Sequence, residues 1–159
     1  MDIKIRKATI KDWPAIERLS REYRNFNLKI INKIDRSFRV VEAAFDKKAF
    51  MKLLRKKNKY YIVVFNDGKM VGFALARVYD WKANNRLKIR FGELSEIFLI
   101  KKYRGRGIAD MIFKEFYGWF KIKEIDFLRI RAMTANKHAI NVYKRWGFKP
   151  WVLSMCKKF

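Results

Sequence analysis

The strongest constraint on the fold is one uninterrupted stretch in which a strand, a basic turn and a helix follow each other directly. Residues 91–100 are largely apolar and end in Ile-Phe-Leu-Ile, which predicts a buried strand. The turn at 101–107 carries two glycines and two arginines. Apolar residues then recur at helical spacing from Ile108 to Trp119, which predicts an amphipathic helix. A buried strand that leads through a short turn into a helix is typical of a mixed α/β domain.

Further strands and helices are predicted on both sides of this stretch. Residues 2–9 alternate between apolar and polar, and Asp12 and Asp46 each precede an apolar helical pattern. The segments 60–66 and 70–80 flank Asn-Asp-Gly-Lys, a strong hairpin signal. The remaining expectations are a loop with a broken helix at 27–44, a polar loop at 81–87, a strand at 125–132, a helix at 136–146 and a closing strand or strands at 148–157. The predicted order is β-α-α-β-β-β-α-β-α-β, in a single α/β (α+β) domain over residues 1–159.

The composition excludes several classes of protein. The 159 residues include one cysteine and one histidine, so the chain offers neither an internal disulfide nor a zinc cluster, and no metal site is predicted. Charged residues interrupt every apolar stretch too soon for a membrane-spanning helix. The N-terminus has no apolar signal-peptide core. We therefore expect a soluble cytoplasmic protein.

The charge is the unusual feature of the composition. The chain has 39 Lys and Arg against 15 Asp and Glu, a net charge of +24. Such a charge attracts polyanions such as RNA, DNA, ribosomes or a phosphorylated cofactor, although a solvated lysine-rich surface explains it equally well. Trp81 lies among Lys82, Arg86, Lys88 and Arg90, and this interleaving can bind single-stranded nucleic acid by stacking. A solvated loop with one aromatic anchor is the alternative that the pattern favours.

The turn after the apolar strand has the features of a phosphate-binding site. Gly105 and Gly107 permit positive φ and a close approach of the backbone to a ligand. The helix that follows directs its N-terminal amides and its positive dipole end towards the turn. Arg104 and Arg106 add positive charge. The spacing is neither that of a Walker loop nor that of the dinucleotide fingerprint, and a solvated basic turn is the alternative interpretation.

Two motifs give this turn a more specific meaning. The first is Arg104-x-x-Gly107-x-Ala109, directly after the strand and at the start of the helix. The second is Asn136-x-x-Ala139-x-x-x-Tyr143-x-x-x-Gly147-Phe148. Both resemble signatures of the GCN5-related N-acetyltransferase (GNAT) superfamily, whose element order also agrees. The resemblance implies the acyl-CoA N-acyltransferase fold, with a mixed, mostly antiparallel central sheet flanked by helices.

The resemblance also implies a binding site for acetyl-CoA. In this family the strand before the turn diverges from its neighbour and leaves amides free for the cofactor, which here are those of Phe98, Leu99 and Ile100. The pyrophosphate would lie against backbone groups of Arg104, Gly105, Arg106, Gly107, Ile108 and Ala109. Asn136 would contact the pantetheine arm, although asparagine before a helix is also a good N-cap.

The resemblance further implies a proton donor and a base. Tyr143 matches the tyrosine that protonates the leaving CoA thiolate, whereas an inward aromatic residue on a short helix is otherwise a core residue. The amine must lose a proton, and Glu93 and Glu96 are the candidate bases, with Glu93 preferred. Strand alternation places these two acids on opposite faces unless a bulge intervenes. A surface role on the strand is the alternative for both.

The sequence therefore predicts an acetyl-CoA-dependent N-acetyltransferase. The acetyl group would pass by direct attack in a ternary complex to a primary amine on a protein N-terminus, a lysine or a small molecule. The net charge disfavours polycationic acceptors and favours an amine on an acidic or nucleic-acid-bound molecule. The acceptor cleft would be walled by 27–44 and 81–90. The alternatives are a catalytically silent acyl-CoA-binding or RNA- or ribosome-associated module and a plain nucleic-acid-binding domain. The resemblance also leaves a homodimer open.

Overall fold

The computed structural model describes residues 1–37, 45–83 and 87–155. Parts of the segments predicted as loops at 27–44 and 81–90 therefore lie outside the described residues, and Arg86 is among them. The same holds for the end of the closing strand predicted at 148–157.

Five strands and four helices form the described part of the chain. The strands are β1 (Ile3–Lys7), β2 (Lys59–Asn66), β3 (Lys69–Ala83), β4 (Leu87–Leu99) and β5 (Phe127–Ile130). The helices are α1 (Trp13–Ile31), α2 (Lys47–Leu54), α3 (Ile108–Ile122) and α4 (Lys137–Arg145). The strands lie side by side in chain order, and all neighbours are antiparallel except β4 and β5, which are parallel. The predicted α+β class with a mixed, mostly antiparallel sheet is thus confirmed.

Helices cover both faces of the sheet. Successive strand residues point to opposite sides, and each side carries apolar side chains that pack against a helix. One face packs against α3, whose buried side chains include Ile112 and Phe116. The other face, called here the α1 face, packs Phe73 and Leu75 of β3 against α1 and α2. No helix in the described part of the chain is long and apolar enough to cross a membrane.

The aspartates at the helix starts act in two different ways. Asp46 is a side-chain cap of α2, since its Oδ1 accepts from the amide of Ala49 at 2.7 Å. Asp12 precedes α1 as predicted, but its carboxylate accepts from the Arg6 guanidinium at 2.7 and 2.8 Å and from the Thr9 amide at 2.7 Å. Asp12 therefore joins β1 to the turn before α1 and does not cap the helix.

Three sequence predictions of secondary structure are wrong. Residues 27–31 continue α1, because Ile30 is buried on the face that the helix turns to the sheet. Trp81 is not in a loop: β3 and β4 continue as a hairpin in which Trp81 lies opposite Ile89. An ion pair between Asp80 and Arg90 at 2.9 Å stabilises this extension, which the polar pattern concealed. Residues 148–155 form no strand; Pro150 lacks the amide that a ladder requires.

Candidate active site

The candidate site lies where β4 and β5 separate. Their parallel pairing runs from Phe91 opposite Phe127 to Leu94 opposite Ile130 and stops there. β4 continues for five residues to Leu99, and in the described structure no strand pairs with that part of its outer edge. The divergence opens a cleft between β4 and the edge strand β5, which the sequence places far apart.

A β-bulge lies at the same point of β4 and determines which side chains face the cleft. Glu96 lies opposite Leu75 and Leu94 opposite Ala76, so that Ser95 is the extra residue. Glu93 consequently lies opposite Arg77, and both glutamates occupy the α1 face. Simple alternation would have separated them. The sequence analysis placed the two acids on opposite faces unless a bulge intervened, and the structure has such a bulge.

The backbone of β4 offers a specific set of amides to the cleft. The amide of Ile100 donates to the carbonyl of Val71 on β3 at 2.9 Å, so it is not free, contrary to the sequence prediction. Backbone groups of successive strand residues point to opposite edges. The amides of Leu99 and Ile97 therefore face the open edge, whereas that of Phe98 faces β3.

The turn after β4 has the left-handed backbone that its glycines predicted. Gly105 has φ +70° and Gly107 has φ +75°, and Gly107 is the N-cap of α3. A Cβ at either position would meet open space, so the backbone conformation and not crowding requires glycine. The amides of Asp110 and Met111 donate to the carbonyl of Gly107, at 3.1 and 3.2 Å. The amides before them precede the first helical hydrogen bond and remain available to an anion.

Two adjoining cavities follow from the divergence. The first, called the cofactor cavity, has a volume of about 240 Å³ and lies between β4, the glycine turn and α4. Its lining includes most of the predicted cofactor residues, namely Phe98, Leu99, Arg104, Gly105, Gly107, Ile108, Ala109, Asn136 and Tyr143, together with the exposed His138. Ile100 and Arg106 do not line it.

The second cavity, called the acceptor cavity, has a volume of about 390 Å³. It lies between α1, the bulge and the residues after β5, and it contains Glu96 and Arg131. Four residues line both cavities: Phe26, Ile97, Asn136 and Tyr143. A larger groove of about 630 Å³ runs along α3 and shares none of these residues, so its size alone does not make it the site.

The two glutamates have opposite environments. Glu93 is 1 % exposed, and its carboxylate accepts from Arg77 at 2.7 and 3.0 Å and from Arg129 at 2.6 and 3.0 Å. Burial raises the pKa of Glu93. The hydrogen bonds from Arg129 and Arg77 and the arginine charges together lower it by more, so the net pKa lies below the ordinary value. Glu93 lines neither cavity. The preference for Glu93 as the base does not fit this geometry, because a carboxylate held by arginines is a poor proton acceptor.

Glu96 has the properties that a base needs. It lines the acceptor cavity, and burial raises its pKa above the ordinary glutamate value, partly offset by the charge of Lys59. Tyr143 lies at the junction of the two cavities, and burial, followed by the influence of Tyr23, raises its pKa to about 12. Tyr143 therefore keeps its proton at neutral pH, as a proton donor must.

The sequence of this chain matches a known protein family. The sequence model of the Acetyltransferase (GNAT) family matches residues 16–148, which is most of the chain. The chain belongs to the GNAT family. This confirms the resemblance inferred from the two motifs.

Curated relatives of this GNAT protein are distant. An uncharacterized N-acetyltransferase, MJ1207, of Methanocaldococcus jannaschii is 31% identical over 100 residues, which are 63% of this chain and 43% of that protein. An N-alpha-acetyltransferase of Sulfurisphaera tokodaii is 25% identical over 105 residues, or 63% of this chain and 62% of that protein. The matched region thus spans less than two thirds of either relative.

Solved structures share the fold of this GNAT protein at low identity. A mutant of the BH1408 protein from Bacillus halodurans superposes with a TM-score of 0.84 at 18% identity, covering 98% of this chain and 99% of that one. The aminoglycoside N-acetyltransferase AAC(6')-Iy in complex with CoA gives 0.71 at 16% identity, over 98% and 100%. A ribosomal-protein-alanine N-acetyltransferase from Brucella melitensis gives 0.68 at 17% identity, over the whole of both chains. These likenesses confirm the acyl-CoA N-acyltransferase fold.

The two arginines of the GNAT turn differ from expectation and from each other. Arg104 donates from Nε to the carbonyl of Leu99 at 2.8 Å, and its guanidinium lies 4.2 Å from the ring centre of Phe26. Burial lowers the pKa of Arg104. This side chain therefore ties the turn to β4 and α1, whereas Arg106 is exposed. Arg106 lies outside the lining of the cofactor cavity, so its exposed charge is not placed against a ligand there.

Asn136 caps the N-terminus of α4, the role that the sequence analysis gave as the alternative to contact with the cofactor. Its Oδ1 accepts from the amide of Ala139 at 3.3 Å, so it is the N-cap of α4. It also lines both cavities, and contact with the pantetheine arm stays a prediction.

Sequence reasoning missed two groups of cavity residues. Tyr23 and Phe26 of α1 line the acceptor cavity, although their helical spacing suggested only core packing; Asn27, which also lines it, falls within the 27–44 segment that was predicted to wall the cleft. Arg131 follows the last residue of β5, and its place two residues after Arg129 was the signal that could have put both on one face. The described residues of the 81–90 hairpin line neither cavity. No group of three or more metal-ligating side chains occurs within 1–37, 45–83 and 87–155.

Proposed function

We propose that this GNAT protein is an acetyl-CoA-dependent N-acetyltransferase that acetylates a primary amine by direct attack in a ternary complex. The observation that carries the proposal is the meeting of the two cavities at Tyr143, with Glu96 in one and the glycine turn in the other. The family and the name of the Sulfurisphaera tokodaii relative, an N-alpha-acetyltransferase, support it.

The cofactor cavity fits the chemistry of acetyl-CoA. The left-handed glycine turn and the first amides of α3 suit a pyrophosphate, which needs several N–H donors in one concavity. The edge of β4 supplies the amide of Leu99, which can donate to a carbonyl oxygen. One such donor contributes about 3 kcal/mol when charge develops on that oxygen. Bound acetyl-CoA would supply an acetyl group already activated as a thioester.

On the acceptor side, Glu96 is the group that takes a proton from the amine. Its raised pKa brings proton affinity closer to neutral pH than that of an exposed carboxylate. On the cofactor side, the Tyr143 hydroxyl donates its proton to the departing sulfur. Holding both partners in adjoining cavities supplies much of the rate, because a bimolecular attack becomes intramolecular.

Calorimetric titration with acetyl-CoA at two salt concentrations tests the proposal. We expect one-to-one binding that survives moderate salt in the wild type. Gly107→Ala should weaken it about tenfold, since a left-handed backbone costs a residue with a Cβ about 1–2 kcal/mol and the free turn relaxes away from it. Gly118→Ala is the matched control: its Cβ also meets open space, but Gly118 lies within α3 without positive φ. Binding that is absent, or is abolished by salt in all three proteins, contradicts the proposal.

Glu96→Gln is expected to lower kcat about 10²-fold at neutral pH, because the amide cannot accept the proton. The wild-type rate should rise with pH as Glu96 ionises, at a pH above the ordinary glutamate pKa, and the variant should lack this limb. The measurement is the kcat/KM profile against pH. Glu22→Gln, at an exposed position of α1, is the control and should match the wild type. Equal profiles for Glu96→Gln and the wild type would remove Glu96 from the mechanism.

Association with nucleic acid or a ribosome, a homodimer and a cytoplasmic location stay predictions from the sequence. The catalytically silent module is the remaining alternative, and substitution of Tyr143 distinguishes it from the enzyme.

A further inference from the structure

We infer that the amine acceptor carries an anionic group, above all a carboxylate, a few ångströms from its amine, and that Arg131 binds this group. The inference deepens the proposed function and rests on it. It names the chemical class of the acceptor and one residue that selects it.

Arg131 and Glu96 stand on the two sides of the cleft. Glu96 projects from β4 beyond the point where its pairing with β5 ends, and Arg131 immediately follows the last residue of β5. Both line the acceptor cavity of about 390 Å³. A molecule in this cavity therefore meets a carboxyl group on one wall and a guanidinium on the other.

The charge of Arg131 is poorly matched inside the protein. Three guanidinium groups, those of Arg77, Arg129 and Arg131, share the carboxylate of Glu93. Arg77 and Arg129 each make two hydrogen bonds to it, whereas Arg131 makes a single contact at 3.4 Å. In the described residues, Glu93 is the only acid within ion-pair distance of the three. The cluster thus keeps an excess positive charge.

Arg131 is also the member of the cluster that a ligand can reach. Its side chain is 71% exposed, against 35% for Arg129 and 37% for Arg77, and neither of those lines the acceptor cavity. A guanidinium with free donors at a cavity wall is suited to a carboxylate, which it binds by charge-assisted and bidentate hydrogen bonds. The other two arginines hold Glu93 in place and add a field of the same sign.

Together, these features select an acceptor with two charged ends. Its amine lies towards Glu96 and Tyr143, and its anionic group lies towards Arg131. An acidic first residue of a peptide has this arrangement through its side chain, and a free amino acid has it through its α-carboxylate. The shared chemistry is an amine with a nearby carboxylate, and the cavity repels an acceptor with a second positive charge.

The test uses matched acceptors with and without the carboxylate. One arm compares peptides that begin with Glu, Gln or Arg and contain no lysine, so that the α-amino group is the only amine, and the second arm compares alanine with alaninamide. For each, kcat/KM is measured, and binding is measured by calorimetry in the presence of CoA. We expect a carboxylate in one arm to raise kcat/KM about tenfold over its neutral partner, mainly through KM, as for a charge-assisted contact. The arm that shows the preference identifies the source of the carboxylate.

Three variants make the assignment to Arg131 specific. Arg131→Gln should abolish the preference, so that acceptors with and without the carboxylate give equal kcat/KM, whereas Arg131→Lys should keep part of it. Arg18→Gln removes the same charge from an exposed position of α1 and should keep the whole preference. Loss of the preference in Arg18→Gln would indicate the field of the whole protein and overturn the inference.

Failure of the inference and failure of the proposed function give different results. Acetyl transfer without a carboxylate preference in either arm overturns the inference and leaves the function standing. Binding of a carboxylate-bearing amine that depends on Arg131, without acetyl transfer, supports the inference and overturns the function. If no acceptor binds and none is acetylated in both arms, the inference is overturned as well.

Discussion

Replacement of Tyr143 by phenylalanine is expected to lower kcat about 10³-fold, equivalent to about 4 kcal/mol, within the range of general acid catalysis. The residue lies where the two cavities meet, and its raised pKa of about 12 keeps the hydroxyl protonated across the pH range of most assays. Phenylalanine keeps the ring, which packs beside Trp146 and Phe148, and removes only the proton donor. Affinity for acetyl-CoA should therefore change little.

Steady-state kinetics and calorimetry on the same preparation check this expectation. Tyr117→Phe is the matched control, because this tyrosine is half exposed on α3 and lines neither cavity. It should behave as the wild type in both measurements. If Tyr143→Phe keeps nearly full activity, the leaving thiolate takes its proton from elsewhere. If the wild type binds acetyl-CoA but acetylates no amine, the result favours the catalytically silent acyl-CoA-binding module over the enzyme.

Replacement of Glu93 by alanine is expected to lower the free energy of unfolding by about 3–5 kcal/mol, the usual cost of removing one partner from a buried ion pair. Alanine leaves the guanidinium groups of Arg77 and Arg129 facing each other around a cavity. Glu93→Gln should cost less, since it keeps the volume and part of the hydrogen bonding. Chemical denaturation measures both, and Glu17→Ala, at an exposed position of α1, is the control.

The same carboxylate gives stability a defined dependence on pH. The pKa of Glu93 is lower in the folded protein than in the unfolded chain. Its contribution is therefore complete above the unfolded pKa and is lost as the pH falls through the folded pKa. Glu93→Gln should flatten this acid limb of the stability curve. A variant with unchanged stability and an unchanged acid limb would contradict the assignment of Glu93 to the framework.

The backbone of the glycine turn was predictable because its signals are local. Left-handed backbone at Gly105 and Gly107 depends on the lack of a Cβ, and the start of α3 depends on apolar spacing within one helix. The wrong predictions at Trp81 and at 148–155 concern strand pairing. Pairing depends on whether a partner strand is present and on the packing around it, so the polarity pattern of one segment alone does not decide it.

By itself, the sequence determined the class of the fold, the family and the turn that would bind a pyrophosphate. It did so because hydrophobic periodicity, helix signals and glycine spacing act over a few neighbouring residues. The tertiary structure alone gave the two glutamates their different environments. One extra residue at Ser95 brought both onto the α1 face, and side chains from β3 and β5 then bound Glu93 while Glu96 was left in the cavity. A pKa and a role follow from partners that lie far apart in the chain, and only the folded protein brings them together.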